Sequence, residues 1–312
     1  MCVGFWTLEH PQYALILCSN RDEFLSRPTT QARWHSFGAE NEGESGTGAV
    51  LSGRDVLAGG TWAGISRTGR VALLTNITEP HGRYNSSRGT LTSSFLLPES
   101  SSATLQEEVD RILAQDARYA GFNLLLLCPS RSIDHGDGRC LSLEAAFLTN
   151  SGGGGKIKAR ILSETERRCG AMSNGIDYHG AAEWPKVRRG SQMFQDTLSS
   201  VHADTPESDL TERLFELLTW KSEVPPSDRT GLRDTIQVEP LQVPNAKPSG
   251  GTTSEPYGTR LSTVILIRRD GGVLFLERDI WTLDREGAVT KADPKQQRTY
   301  RFQIHIEDSV KR

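Results

Sequence analysis

The stretch Met1-Cys2-Val3-Gly4-Phe5-Trp6-Thr7-Leu8-Glu9-His10-Pro11-Gln12-Tyr13-Ala14-Leu15-Ile16-Leu17-Cys18-Ser19-Asn20-Arg21-Asp22-Glu23 decides how the rest of the chain is read. Residues 3–8 and 13–19 are short apolar runs separated by His10-Pro11-Gln12, the pattern of two strands joined in a hairpin. Closing that hairpin brings Cys2 to the sheet edge where Asn20-Arg21-Asp22-Glu23 follows the second strand. A strand end is a rigid place from which polar side chains can be aimed into a cleft. Taken alone, those four residues read equally well as a solvated turn in which Asp22 caps the N–H groups that follow.

Outward from this hairpin, further strands are predicted over 61–66, 71–76, 122–128, 140–148, 170–173, 262–269, 272–281 and 299–306. Asp270-Gly271 between 262–269 and 272–281 is the signal of a two-residue hairpin turn. Helical spacing marks 87–97, 105–114, 184–201 and 208–220, the last with Leu210, Leu214, Leu217 and Leu218 on one stripe. Strands and helices come in separate blocks, which predicts an α+β sandwich with helices over the outer faces of two mostly antiparallel sheets. Residues 1–312 are read as a single domain, with turn-rich breaks at 98–103 and 151–155 and a flexible Pro/Gly/Ser/Thr-rich loop over 240–256.

With 36% hydrophobic residues in 312, the chain can bury a substantial core. The net charge is -3 and basic residues are scattered among acidic ones, so no nucleic-acid footprint is present and a small acyl or amide ligand is expected instead. There is neither a transmembrane segment nor a secretory leader, and a cytoplasmic chain is expected. The five cysteines, Cys2, Cys18, Cys128, Cys140 and Cys169, are odd in number and form no C-x-x-C pair, which speaks against disulfides and a zinc knuckle. The histidines form no H-x-x-x-H or H-x-E pair, so no metal is expected, and Gly152–Gly155 lacks the Lys-Ser/Thr of a phosphate loop.

Cys2 carries chemistry only if Met1 is removed. The new α-amine then has an ordinary pKa near ~7.7, suited to taking the thiol proton of its own residue. Position alone favours an unremarkable strand residue. Arg21 would lower the thiol pKa or bind an acyl or phosphate oxygen. Gly59-Gly60-Thr61-Trp62 lets the backbone approach a ligand with Trp62 as a wall, or is a turn before a core aromatic. Asn76 and Asn174 each end an apolar strand, where an amide donates to an oxyanion or simply forms a turn. Arg260 opens an apolar strand and is read either as a site residue or as the partner of Glu277 across the hairpin.

The chain resembles the NRDE-motif family, named after transport and Golgi organization protein 2. The resemblance is carried by Met1-Cys2, Asn20-Arg21-Asp22-Glu23-Phe24 with Ser26-Arg27-Pro28, and Gly59-Gly60-Thr61-Trp62-Ala63-Gly64-Ile65-Ser66. It continues through Leu74-Thr75-Asn76, Gly121-Phe122-Asn123-Leu124, Ser173-Asn174-Gly175 and Tyr257-Gly258-Thr259-Arg260, ending at Glu277-Arg278. It implies a four-layer αββα sandwich of N-terminal nucleophile hydrolase type, in which Cys2 is the nucleophile and Asp22 orients its amine. Asn174 and Asn76 would contact the oxyanion or amine, and Arg260 would complete the catalytic set. Asn20, Arg21, Thr61, Trp62 and Thr75 are then expected at the substrate. In the hydrolases an Arg precedes the Asp by three positions, whereas Ser19 stands there and Arg21 is adjacent to Asp22, so the role of Arg21 stays open. The implied activity is amide or thioester hydrolysis or acyl transfer without a cofactor. The alternative is a non-catalytic protein of Golgi organisation and secretion, lipid homeostasis or haem trafficking, with a mitochondrial or Golgi-associated location and haem as a ligand.

Overall fold

In the computed structural model, which describes residues 1–38, 47–80, 82, 84–100, 103–130, 140–202, 204–246 and 251–304, the first strand β1 (Val3–Thr7) is buried at every position. An apolar strand covered on both faces requires this. Its side chains divide by the period of two: Trp6 enters a core between two sheets, while Val3 and Phe5 enter a core beneath helices. In β2 (Tyr13–Phe24), Leu15 and Leu17 take the inter-sheet side and Ile16 and Cys18 the helix side.

The first sheet runs β10 (Gly170–Met172), β1, β2, β12 (Thr252–Arg268), β13 (Gly272–Asp279) and β16 (Gln297–Gln303), with β11 (Leu241–Ala246) paired to the start of β12. The second follows chain order: β3 (Thr29–His35), β4 (Val50–Asp55), β5 (Ala63–Ser66), β6 (Val71–Asn76), β7 (Phe122–Ser130), β8 (Ser142–Thr149) and β9 (Lys158–Ile161). A small hairpin joins β14 (Trp281–Leu283) to β15 (Val289–Lys291). The inner core takes Leu51, Ile65, Leu73, Leu125 and Phe147 from the second sheet and Ile265, Ile267 and Phe275 from the first.

Of the helices, α1 (Arg88–Leu96) and α2 (Leu105–Leu113) cover the outer face of the second sheet with Leu91, Phe95, Val109 and Ile112. Past the short α3 (Glu164–Arg168), α4 (Pro185–Ser199) and α5 (Glu207–Leu218) cover the first sheet with Phe194, Leu210, Leu214 and Leu218. The layers therefore stack helix, sheet, sheet, helix, the four-layer αββα sandwich expected. No helix among the described residues is long and apolar enough to cross a membrane.

Four local expectations change. The quartet Asn20–Glu23 lies inside β2 rather than after it, because β12 continues the ladder through Thr259↔Asp22 and Gly258↔Glu23. Asp270-Gly271 does not form the centre of a two-residue turn. The closing bond runs from Gly271 N–H to Arg268 carbonyl and Gly271 has φ +89, so the glycine takes the left-handed position after the turn. Over 240–256, where a loop is expected, β11 and the start of β12 pair from Leu241↔Tyr257 to Ala246↔Thr252; residues 247–250 lie outside the described ones, as do 305–306 of the last predicted strand. Glu277 pairs with Arg298 at 2.8 Å, not with Arg260, since the register sets Glu277 opposite Thr263. Among the missed elements, α3 starts at a Ser163/Glu166 capping box without an apolar stripe, and β3 buries only Ala32 and His35.

Candidate active site

The β1–β2 hairpin holds Val3 opposite Asn20 and Gly4 opposite Ser19, so the next rung outward places Cys2 beside Arg21 and Met1 beside Asp22. On the other side β10 pairs Gly4 with Met172, and extending that ladder puts Asn174 level with Cys2. Cys2 Sγ lies 3.7 Å from the Asp22 carbonyl, and Ser173 Oγ donates to the Cys2 carbonyl at 2.7 Å. The hairpin inferred from the sequence thus brings the thiol and the polar quartet together.

Alternation along β2 then separates the quartet by face. Asn20 turns to the helix side, where its amide nitrogen donates to the carbonyls of Leu218 (2.9 Å) and Ile236 (3.2 Å) and its oxygen accepts from Ser262 at 2.6 Å. These bonds tie β2 to the end of α5, to the segment at Ile236 and to β12, so Asn20 serves the scaffold and does not line the cleft. Asp22, on the same face and 4% exposed, meets the chain's terminal ammonium at 2.9 Å and accepts from Thr259 Oγ1 at 2.6 Å. Arg21 and Glu23 face the other way, into a cleft of about 130 Å³ whose wall also includes Cys2, Asp22, Thr61, Trp62, Asn76 and Arg88. A larger cavity of about 440 Å³ adjoins it, sharing Asp22, Asn76 and Arg88 and adding Met1, Asn174 and Tyr257.

Met1 is built into this surface. Its ammonium donates to Tyr257 Oη at 2.6 Å, its carbonyl accepts from Lys186 Nζ at 2.6 Å, and its sulfur accepts from Thr78 at 2.9 Å. Burial pushes the terminal amine below its ordinary pKa, with Lys186 acting in the same sense and Asp22 opposing. Burial likewise raises the Cys2 thiol, which the nearby ammonium and Arg21 only partly offset, so the sulfur is held protonated. Lys186, fully buried, is pushed down to about 8 by desolvation against the pull of Asp22 and Cys2.

The remaining expected residues divide. Thr61 and Trp62 line the cleft, Trp62 with its ring 4.1 Å from the Arg21 guanidinium. Asn76 lines both cavities, and Asn174 lines the larger with its buried Oδ1 unpartnered. Thr75 is buried and donates to the Ser173 carbonyl at 2.7 Å, which positions the Asn174 turn without reaching the cleft. Arg260 sits at an irregularity between Thr259 and Leu261, where its guanidinium turns to the Arg27 carbonyl and to Thr29 Oγ1 at 3.2 Å. It lines a separate cavity with Thr29, Thr30 and Asp279, and burial beside Arg21 pushes its pKa down to about 10. In the motif Tyr257-Gly258-Thr259-Arg260, Tyr257 and Thr259 are the residues that reach Asp22 and the amine, which the period of two along the strand would have indicated. Lys186 and Arg88 come from helices with no motif to mark them. The cysteines are all free, and Cys18 and Cys128 are buried as expected of small apolar residues.

The family model of Transport and Golgi organisation 2 matches residues 1–282. The Bos taurus Transport and Golgi organization protein 2 homolog is 30% identical over 90% of this chain and 93% of its own, and the Homo sapiens homolog 29% identical over 97% and 99%. Among solved structures, a mutant conjugated bile acid hydrolase from Clostridium perfringens aligns with TM-score 0.48 and 10% identity over 97% of this chain and 98% of that one. A Caenorhabditis elegans ortholog of N-acylethanolamine-hydrolyzing acid amidase aligns with TM-score 0.46 and 12% identity over 85% and 92%. With the family model matching residues 1–282 and relatives aligned over 90% or more of the chain, the protein belongs to the Transport and Golgi organisation 2 family.

Proposed function

We propose that this chain is a thiol acyl-transferring enzyme, a hydrolase or acyltransferase of a small amide or thioester, with Cys2 as nucleophile once Met1 has been removed. The observation that carries the reading is the ion pair of Asp22 with the terminal amine, one residue before a thiol that lines a cleft. Loss of Met1 moves the free amine onto Cys2 and opens the space that Met1 fills between the thiol and the larger cavity. The amine, no longer fully buried, then accepts the thiol proton. The thiolate attacks the substrate carbonyl carbon, and the carbonyl oxygen takes the negative charge as the C–S bond forms. Asn174 and Asn76, both in the wall of the larger cavity, are the amides we assign to that oxygen. On collapse the carbon–heteroatom bond breaks and the amine returns its proton to the leaving group. Water or an acceptor nucleophile then releases the acyl group from Cys2.

A second reading, a non-catalytic ligand-binding protein with a role in Golgi organisation like that for which the family is named, is favoured by how completely Met1 is accommodated. Its amine, carbonyl and sulfur all have partners, and a chain that keeps it presents no amine on Cys2. Intact-mass measurement on protein from its native cell, with labelling by an electrophilic acyl probe, decides between them. The enzyme reading expects mass lower by one methionine and a label on Cys2 that Cys2→Ala abolishes. Retained Met1 with labelling indifferent to Cys2→Ala defeats it.

A further inference from the structure

The cleft beside Cys2 is lined by the guanidinium groups of Arg21, Arg27 and Arg88 and by the carboxylates of Asp22, Glu23 and Asp55, and the carboxylates leave the N–H edge of Arg21 without a hydrogen bond. Asp22 is committed to the terminal ammonium at 2.9 Å. Asp55 lies 2.6 Å from Arg27 Nε, and Glu23 is 3.8 Å from the same nitrogen. Arg21 is left 3.9 Å from Asp55, beyond hydrogen-bond range. Its side chain is 5% exposed, and its Nη1 is buried without an acceptor. The ring of Trp62 covers one face of the guanidinium, so a ligand reaches Arg21 through its N–H edge.

The start of α1 reaches the same cleft, where Ser87, Arg88 and Gly89 form part of the wall. Ser87 occupies the N-cap, yet its side chain caps no N–H group and the first turn holds no acidic residue. The Thr90 N–H is taken by the Ser87 carbonyl at 3.2 Å, while the positive end of the helix dipole is without an internal anion. Arg88 adds a second guanidinium, with Nη1 given to the Gly121 carbonyl at 2.9 Å. Glu79, the remaining carboxylate near it, accepts from the N–H groups of Gly121 and Gly153, each at 2.6 Å. The Gly59-Gly60 turn fixes this geometry: a Cβ on Gly60 would stand 2.4 Å from the Gly89 carbonyl carbon, so only glycine lets the helix start come this close.

We infer that Arg21, Arg88 and the N-terminus of α1 form an anion subsite, and that the substrate carried to Cys2 bears a carboxylate or phosphate group bound there. The attachment of that anion to a reacting carbonyl rests on the proposed role of Cys2; the subsite itself rests on the unpartnered N–H edge of Arg21 and the uncapped start of α1. A volume of about 130 Å³ admits such a head group, a water occupying about 30 Å³ of liquid. The rest of the substrate has the adjoining cavity of about 440 Å³.

The test is equilibrium titration of the full chain with inorganic phosphate and with acetate at constant ionic strength, acetamide serving as the neutral control. Saturable binding of one or both anions and none of acetamide is expected, and the tighter anion identifies the group. Arg88→Gln and Arg21→Gln should each weaken it about tenfold, the size of one charge-assisted hydrogen bond. Because Arg21 is buried and its variant could misfold, Ser87→Asp supplies an independent check. It places a carboxylate at the helix start, where Asp is a favoured cap, so binding should be lost while the thermal midpoint is not lowered. Absence of saturable binding, or binding unchanged in Arg88→Gln and in folded Ser87→Asp, overturns the subsite. Anion binding that persists in Cys2→Ala while no acyl probe labels Cys2 sustains the subsite and removes the enzyme reading. Labelling of Cys2 without anion binding removes the subsite and keeps the enzyme.

Discussion

At the scale of single residues, the site is governed by what burial does to charge. Asp22 and the terminal ammonium are both nearly sealed from water and oppose each other at 2.9 Å. Removing one member of a buried pair leaves the other uncompensated, so Asp22→Asn should cost about 3–5 kcal/mol in a urea titration. A loss under about 1 kcal/mol would mean that water already screens the pair. Lys186 gives a pH signature. Its amine falls from 10.5 to about 8 on folding, so between those values the unfolded chain holds a proton that the folded chain has released. Stability attributable to Lys186 should rise with pH across that window, by about 3 kcal/mol in total, and be lowest below pH 8. Wild type minus Lys186→Met, compared at pH 7 and pH 10, isolates that slope; equal slopes in the two proteins would refute it. Cys2 and Asp22 were legible in the sequence because a motif marks both. Lys186 and Arg88 were not, since a basic residue on a helix has no local sign that it meets the N-terminus or the cleft.

At the scale of elements, α5 and α2 owe their positions to different forces. The stripe of Leu210, Leu214, Leu217 and Leu218 is buried against the first sheet, so Leu214→Ala should destabilise by about 2–5 kcal/mol through the cavity it leaves. Thr104 caps α2 through the N–H of Glu107 in an exposed capping box, and Thr104→Ala should cost only about 1 kcal/mol. Denaturation midpoints of the two variants measure the contrast, which reversed costs would contradict. The helices were readable because an apolar face every three or four residues is a local property. The quartet Asn20–Glu23 was read as a corner because four polar residues rarely sit inside a strand. Here each has a partner or a cleft on its own face, supplied by β12, α5 and the second sheet. Arg260 shows the converse: its motif was right, but the irregularity after Thr259 turned its side chain to the Arg27 carbonyl.

At the scale of the molecule, the inner core draws on both sheets at once, with Trp6, Leu17 and Phe275 facing Leu51, Leu73 and Leu125. Neither sheet can keep its inner face dry alone, so the chain should unfold as a single domain in one transition. Tryptophan fluorescence and far-ultraviolet circular dichroism are expected to give the same midpoint, and separate midpoints would show two units. By itself the sequence determined an α+β sandwich of two helix-covered sheets, the four longer helices, the β1–β2 hairpin and the nearness of Cys2 to Asp22, because periodicity and short turns act over a few residues; the resemblance carried by its motifs implied the αββα class. Only the tertiary structure decided that Met1 occupies the place beside the thiol, that Asn20 and Thr75 serve the scaffold, and that Arg21 faces the free end of α1. Those outcomes depend on which elements meet across long stretches of chain, and burial, which shifts the terminal amine, Cys2 and Lys186, exists only once they have met.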